Sequence, residues 1–163
     1  DDLLDVSRIE SGRMALERDR CELDALADEV VARLREQDDT AITVVCADAP
    51  MVGEWDRARL DQVLTNLVVN AHKYGKPPIE VRLSAEASRA RIEVHDHGPG
   101  IPPPDRERIF EPFERGSGAR HGGGFGLGLF IVKSLVDAHG GTVHVECEEG
   151  TTFVVELPIR STP

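Results

Sequence analysis

Cysteine is scarce. Cys21, Cys46 and Cys147 are odd in number, widely spaced and form no CxxC pair. That pattern argues against a disulfide frame or a zinc site, and the three read as reduced, buried thiols of a cytosolic protein. No apolar run approaches the roughly 20 residues of a membrane span, no signal peptide opens the chain, and no segment repeats. Positive charge is also short: 19 Lys and Arg face 30 Asp and Glu, a formal charge of -11. Nucleic acid and anionic membrane are therefore poor candidates for the main partner. A polyanionic ligand would have to be held by local donors or by a metal ion. Starting at Asp1-Asp2-Leu3 with no Met, the sequence reads as a piece of something longer. Its 163 residues, 40% apolar, have room for one well-buried domain and a short appendage.

Glycine, by contrast, is concentrated. Seven of the fifteen glycines fall between Gly116 and Gly128, and the run leads directly into Leu127-Gly128-Leu129-Phe130-Ile131-Val132-Lys133. A glycine-rich loop feeding a helix N-terminus makes a phosphate cradle, because first-turn N–H groups are unpaired and point at the anion. The same glycines also fit a plain surface loop, and the run alone does not choose.

Leu3, Leu4, Val6 and Ile9 read as the last turns of an amphipathic helix stopped near Gly12, with a short extended stretch near Met14–Leu16. Leu23, Leu26, Ala27, Val30, Val31 and Leu34 recur at helical spacing through about Gln37. Ala41–Cys46 is β-prone. A second long helix runs from about Asp56 to His72 and breaks at Tyr74-Gly75-Lys76-Pro77-Pro78. Ile79–Leu83 and Arg91–His95 alternate in period two as paired strands. A long irregular segment holding Ile109–Arg115 follows. A third helix, Leu127–Ala138, ends at a glycine cap, His139-Gly140-Gly141. Thr142–Cys147 and Thr151–Leu157 close a hairpin. The expected fold is α+β: a two-layer sandwich with a mixed sheet of about five strands covered on one face by three helices.

On the second helix Leu60, Val63, Leu64, Leu67, Val68 and Ala71 share one face, while Gln62, Asn66, Asn70 and Lys73 line another. Asparagine is a poor helix former, so two in line with a lysine look like ligands. An amide oxygen suits the hard Mg²⁺ ion, and a lysine brings a point charge to phosphate. Asparagine pairs also occur with no ligand. Asp96-His97-Gly98-Pro99-Gly100-Ile101 follows a strand and reads either as a pocket floor, its carboxylate accepting from a base amine, or as a plain Asp/Gly turn. Phe110 and Phe113 read as core caps, leaving Arg115 to reach a phosphate.

In order, these pieces resemble the ATP-binding catalytic domain of sensor histidine kinases, in the Bergerat-fold ATPase superfamily. Gln62–Tyr74 is similar to the family's asparagine box, Asp96–Ile101 to its first glycine box and Ile109–Arg115 to its phenylalanine box. Gly124-Phe125-Gly126-Leu127-Gly128-Leu129 resembles the second glycine box, and Gly150-Thr151-Thr152-Phe153 the last. Residues 1–12 resemble the end of the second helix of the dimerisation and phosphoacceptor domain, which makes 13–21 a linker and 22–160 the catalytic domain.

The resemblance implies ATP and Mg²⁺ as ligands. Asn70 would hold Mg²⁺ and Asn66 would support metal or phosphates. Lys73 and Arg115 would contact phosphate oxygens, and Tyr74 would line the ribose and base. Asp96 would accept from the adenine amino group, with Gly98, Gly100 and Ile101 in the same box. Gly124, Gly126, Leu127, Gly128 and Leu129 would face the phosphates beneath a lid at 116–124, and Thr152 would sit at the adenine end. Two positions depart from the usual pattern: His97 stands where Asn or Thr is common, and Phe125 where a small residue is.

Hydrolysing members of the superfamily carry a Glu where this chain has Asn66. An amide cannot take the water's proton, so the resemblance points to phosphoryl transfer by positioning. The catalytic set would be Asn66, Lys73 and Arg115. None of His72, His95, His97, His121, His139 or His144 lies in the family's phosphoacceptor context, so the acceptor histidine is expected upstream. The implied partners are the protein's own dimerisation domain and a response regulator, without nucleic acid. The fragment is expected to be monomeric and cytoplasmic, and the full-length protein a homodimer. The alternative is a nucleotide-binding or interaction module that keeps the fold but transfers nothing.

Overall fold

Period-two alternation builds the central sheet. In the computed structural model, which describes residues 2–12, 15–112 and 127–159, β2 (Ile42–Cys46), β4 (Ile79–Glu86), β5 (Arg89–Asp96), β6 (Thr142–Glu146) and β7 (Thr151–Pro158) join in the order β2-β4-β5-β7-β6. β2 is parallel to β4 and the other pairings are antiparallel, so the sheet is mixed. Along β5, Ala90, Ile92, Val94 and Asp96 face inward, opposite Leu157, Val155, Phe153 and Thr151 of β7.

Three helices cover that inner face: α2 (Leu23–Gln37), α3 (Arg57–Tyr74) and α4 (Gly128–Ala138). Their buried stripes are those the helical spacing predicts, including Leu26 and Val30 on α2, Leu60, Leu64 and Leu67 on α3, and Ile131 and Leu135 on α4. The expected sandwich is present. Asp56 caps α3, its Oδ1 accepting from the Arg59 N–H at 3.2 Å, and the helix runs past His72 to Tyr74. The glycine cap of α4 closes as expected, with the Gly141 N–H donating to the Val136 carbonyl at 3.0 Å.

The N-terminal region differs from expectation. Ala15 and Leu16 of the expected extended stretch lie in no strand and Met14 lies outside the described residues; the strand here is Asp19–Glu22, β1, paired antiparallel with β3 (Val52–Trp55) in a two-stranded sheet. Residues 19–21 of the expected linker are thus tied to the catalytic body. The helix α1 (Asp2–Glu10) lies against α4 and is tied to α3 by side chains: Asp5, 8% exposed, accepts from Gln62 Nε2 at 2.7 Å and from Arg59 Nη1 at 3.4 Å, and Val6 is buried.

Candidate functional site

The apolar face of α3 is buried, and the adjoining stripe of Gln62, Asn66 and Asn70 is half-buried, ending at exposed Lys73 and Tyr74. The Asn66 amide donates to the Gly128 carbonyl at 3.2 Å. The asparagine stripe therefore meets the first turn of α4, where Leu127 occupies the N-cap and supplies no side-chain acceptor. Leu127 itself is buried and Leu129 packs against the core, so these two can offer only main-chain groups.

The second half of the site forms around Asp96. Asp96 is 2% exposed and its carboxyl accepts from the Gly98 N–H at 2.7 Å. Burial pushes the Asp96 carboxyl above the ordinary 3.8, while hydrogen bonds from the backbone of Gly98 and Lys76 partly offset that. Glycine is required at two neighbouring positions. A Cβ at Gly75 would lie 2.2 Å from Asp96 Cγ, and one at Gly150, whose φ is +81°, would lie 2.1 Å from the Asp96 carbonyl oxygen. Alongside, the Ile101 N–H donates to Cys147 Sγ at 3.4 Å, and Gly100 adjoins Cys147.

Thr152 pairs with His95, and its Oγ1 lies 2.7 Å from His95 Nδ1, on the face away from Asp96. Thr151 pairs directly with Asp96 and is buried beside it; paired residues on adjacent strands share a face. Thr151, and not the expected Thr152, is therefore the threonine that shares a face with Asp96. Sequence alone could not separate two adjacent threonines without the strand register. In the sequence Gly75 marks only the break of a helix, and nothing there signals its closeness to Asp96.

Phe110 is buried edge-on to Phe153, ring centroids 6.1 Å apart, the core cap expected of it. The described histidines have structural partners. His72 holds Thr40 Oγ1 at 2.9 Å and Asp38 at 2.7 Å. His97 contacts the Pro78 carbonyl at 2.9 Å, and His144 contacts Glu146 at 3.0 Å. His139 is fully buried; its Nε2 accepts from the Asp56 N–H and its Nδ1 lies 2.8 Å from the Leu135 carbonyl. Arg115, Gly124, Gly126, Phe113, His121 and the expected lid at 116–124 lie outside the described residues.

Residues 55–161 match the family of histidine kinase-, DNA gyrase B- and HSP90-like ATPases. The chain belongs to this family. Within it, the similarities are to histidine kinases. It is 34% identical to the sensor protein SrrB of Staphylococcus aureus, over 96% of this chain and 28% of SrrB, and so spans little more than a quarter of that relative. The catalytic domain of the histidine kinase ThkA superposes with a TM-score of 0.79 at 31% identity, covering 88% of this chain and 97% of that domain. Full-length ShkA in complex with AMPPNP gives a TM-score of 0.83 at 32% identity, covering 99% of this chain and 35% of ShkA. ThkA in complex with the response regulator TrrA gives 0.75 at 28% identity, covering 97% and 47%. The chain is a Bergerat-fold module of the histidine-kinase catalytic-domain family, an ATP- and Mg-binding family. No helix among its described residues is long and apolar enough to cross a membrane.

Proposed function

We propose that this chain is the catalytic domain of a two-component sensor histidine kinase, binding Mg-ATP and passing the γ-phosphoryl group to a histidine of its dimerisation domain. A response-regulator aspartate would receive the group next. The observation that carries this reading is a desolvated, backbone-fixed carboxylate, Asp96, linked through the end of α3 to an amide stripe that abuts an α4 start without a side-chain cap. Together these elements fit an adenine nucleotide: a charged acceptor for the exocyclic amine at one end, amide oxygens and main-chain N–H groups for metal and phosphates at the other.

Asn70 would hold Mg²⁺, which when bound neutralises charge shared between phosphate oxygens. Lys73 and Arg115 would hold phosphate oxygens, and Tyr74 would line the ribose. Gly124, Gly126, Gly128 and the peptides of Leu127 and Leu129 would face the phosphates. Asp96 would select adenine, with Gly98, Gly100, Ile101 and Thr151 lining that end. Asn66, whose amide donates to Gly128, is a positioning group and cannot act as a base toward water. That favours transfer to a protein acceptor over hydrolysis.

Residues 1–12 would continue a dimerisation helix, and 22–160 would form the catalytic domain. The parent protein would work as a cytoplasmic-facing homodimer with a cognate regulator, the isolated chain as a monomer. With each described histidine engaged structurally, the chain is expected not to label itself. Asn70→Ala should abolish Mg²⁺-dependent ATP affinity in a calorimetric titration while circular dichroism stays unchanged. Unaltered affinity would show the metal assignment to be mistaken.

A further inference from the structure

Among the glycines around Asp96, Gly75 has an unusual relation to the site. Its φ of -101° and ψ of -158° are open to any residue, so backbone conformation does not require glycine there. What excludes a side chain is Asp96. An added Cβ would lie 2.2 Å from Cγ and 2.3 and 2.5 Å from the two carboxylate oxygens. Restoring van der Waals contact would need a shift of roughly 1 Å or more. The carboxylate has little room to give. Asp96 is 2% exposed, its carboxylate is tethered to the N–H of Gly98, and Gly98 is itself so close that its own Cβ would meet Gly75 Cα at 2.7 Å.

We propose that Gly75 is a specificity-determining positioning residue: by presenting a bare backbone face, it sets where the Asp96 carboxylate stands and hence which nucleobase edge the site accepts. The inference rests on the nucleotide reading above. Gly75 touches no nucleotide; it acts through Asp96. Because it directly follows Lys73 and Tyr74, the same turn fixes the distance between base reader and phosphate holder. Asp96 ionised is an acceptor only, which suits the amino edge of adenine and not the carbonyl edge of guanine. A displaced carboxylate loses that discrimination while the α3 amides and the α4 start stay in place.

The test uses the whole chain with Mg²⁺ and two probes, ATP and GTP, titrated calorimetrically against wild type and Gly75→Ala. The wild type should prefer ATP. Gly75→Ala should weaken ATP by about tenfold or more, the scale of one hydrogen bond to a charged group, with GTP changed less than about twofold, so the preference collapses. An ATP affinity within about twofold of wild type, or equal losses for ATP and GTP, overturns the proposal, since a merely structural lesion would weaken both alike.

Thermal melts of Gly75→Ala, Asp96→Ala and the double variant keep the test open if the single variant folds poorly. Truncating Asp96 removes the atoms the new methyl strikes. The double variant should therefore recover the midpoint lost by Gly75→Ala, and additive losses overturn the contact. Wild-type chain that binds neither nucleotide would overturn the nucleotide reading itself, and this inference with it. ATP binding that survives in wild type, is lost in Asp96→Asn and is indifferent to Gly75→Ala overturns only the inference.

Discussion

At Asp96 a carboxylate has been taken out of water and left without a full counter-charge, held by backbone N–H groups of Gly98 and Lys76. Such a group prefers its proton in the folded chain, so the fold binds more protons than the unfolded chain between pH 3.8 and the raised native value. Its contribution to stability is therefore largest at low pH and declines as pH rises through that window. Urea melts of wild type and Asp96→Asn over a pH series should show the wild type losing ground to the variant as pH rises. The opposite slope would contradict the burial argument. At neutral pH the same substitution should weaken ATP binding, because an amide cannot replace the ionised acceptor.

The neighbouring threonines make a paired test. Thr151→Val should reduce ATP affinity by about 1–3 kcal/mol, because the polar group its hydroxyl pairs with in the complex is left unsatisfied, and Thr152→Val should leave affinity unchanged. Equal effects in calorimetry would mean the strand face does not decide. This pair also shows what sequence could and could not say about the site. The motif at Gly150-Thr151-Thr152 was legible, but which threonine shares a face with Asp96 was not, because only the register of Asp96 against Thr151 assigns it. The placement of Asn66 and Asn70 on one stripe of α3, and of Asp96 at the end of β5, was legible because helical spacing and strand alternation need no long-range pairing to be recognised.

Among the elements, α3 is the organiser. Its cap Asp56 accepts from the N–H groups of Arg59 and Glu17 and donates its own N–H to buried His139 at the end of α4, joining α3, α4 and the segment before β1 at one point. On its outer side, Asp61 takes both guanidinium ends of Arg33 from α2, at 2.7 and 3.1 Å. The Arg33 hydrogen bond holds the Asp61 carboxyl below its ordinary 3.8. Asp61→Asn should cost roughly 0.5–1 kcal/mol at neutral pH, since the pair is partly exposed. That difference is present above pH 3.8 and fades as pH falls through the lowered native value. Chemical denaturation at pH 7 and below pH 3 checks it, and a pH-independent difference would sink the ion-pair explanation. The long helices were readable from their periodicity. β1 and β3 were not, because four-residue strands such as Asp19–Glu22, with Cys21 its sole buried side chain, carry no periodic signal and exist through pairing with each other.

For the whole molecule, an acidic chain of net charge -11 that bound a polyphosphate would have to concentrate its donors in one place, and the proposed place is α3 with the start of α4. On the proposed reading, Asn66 and the described histidines serve neither hydrolysis nor self-labelling, and the γ-phosphoryl group would go to an acceptor on another segment. The measurement that tests this most directly is incubation of the chain with γ-labelled ATP and Mg²⁺, alone and with a separately supplied histidine-bearing dimerisation domain matched to it. The expected result is ATP binding in both, no label on the chain itself, and acid-labile label on the acceptor. Label on the chain alone, or none on any matched acceptor despite bound ATP, would contradict it.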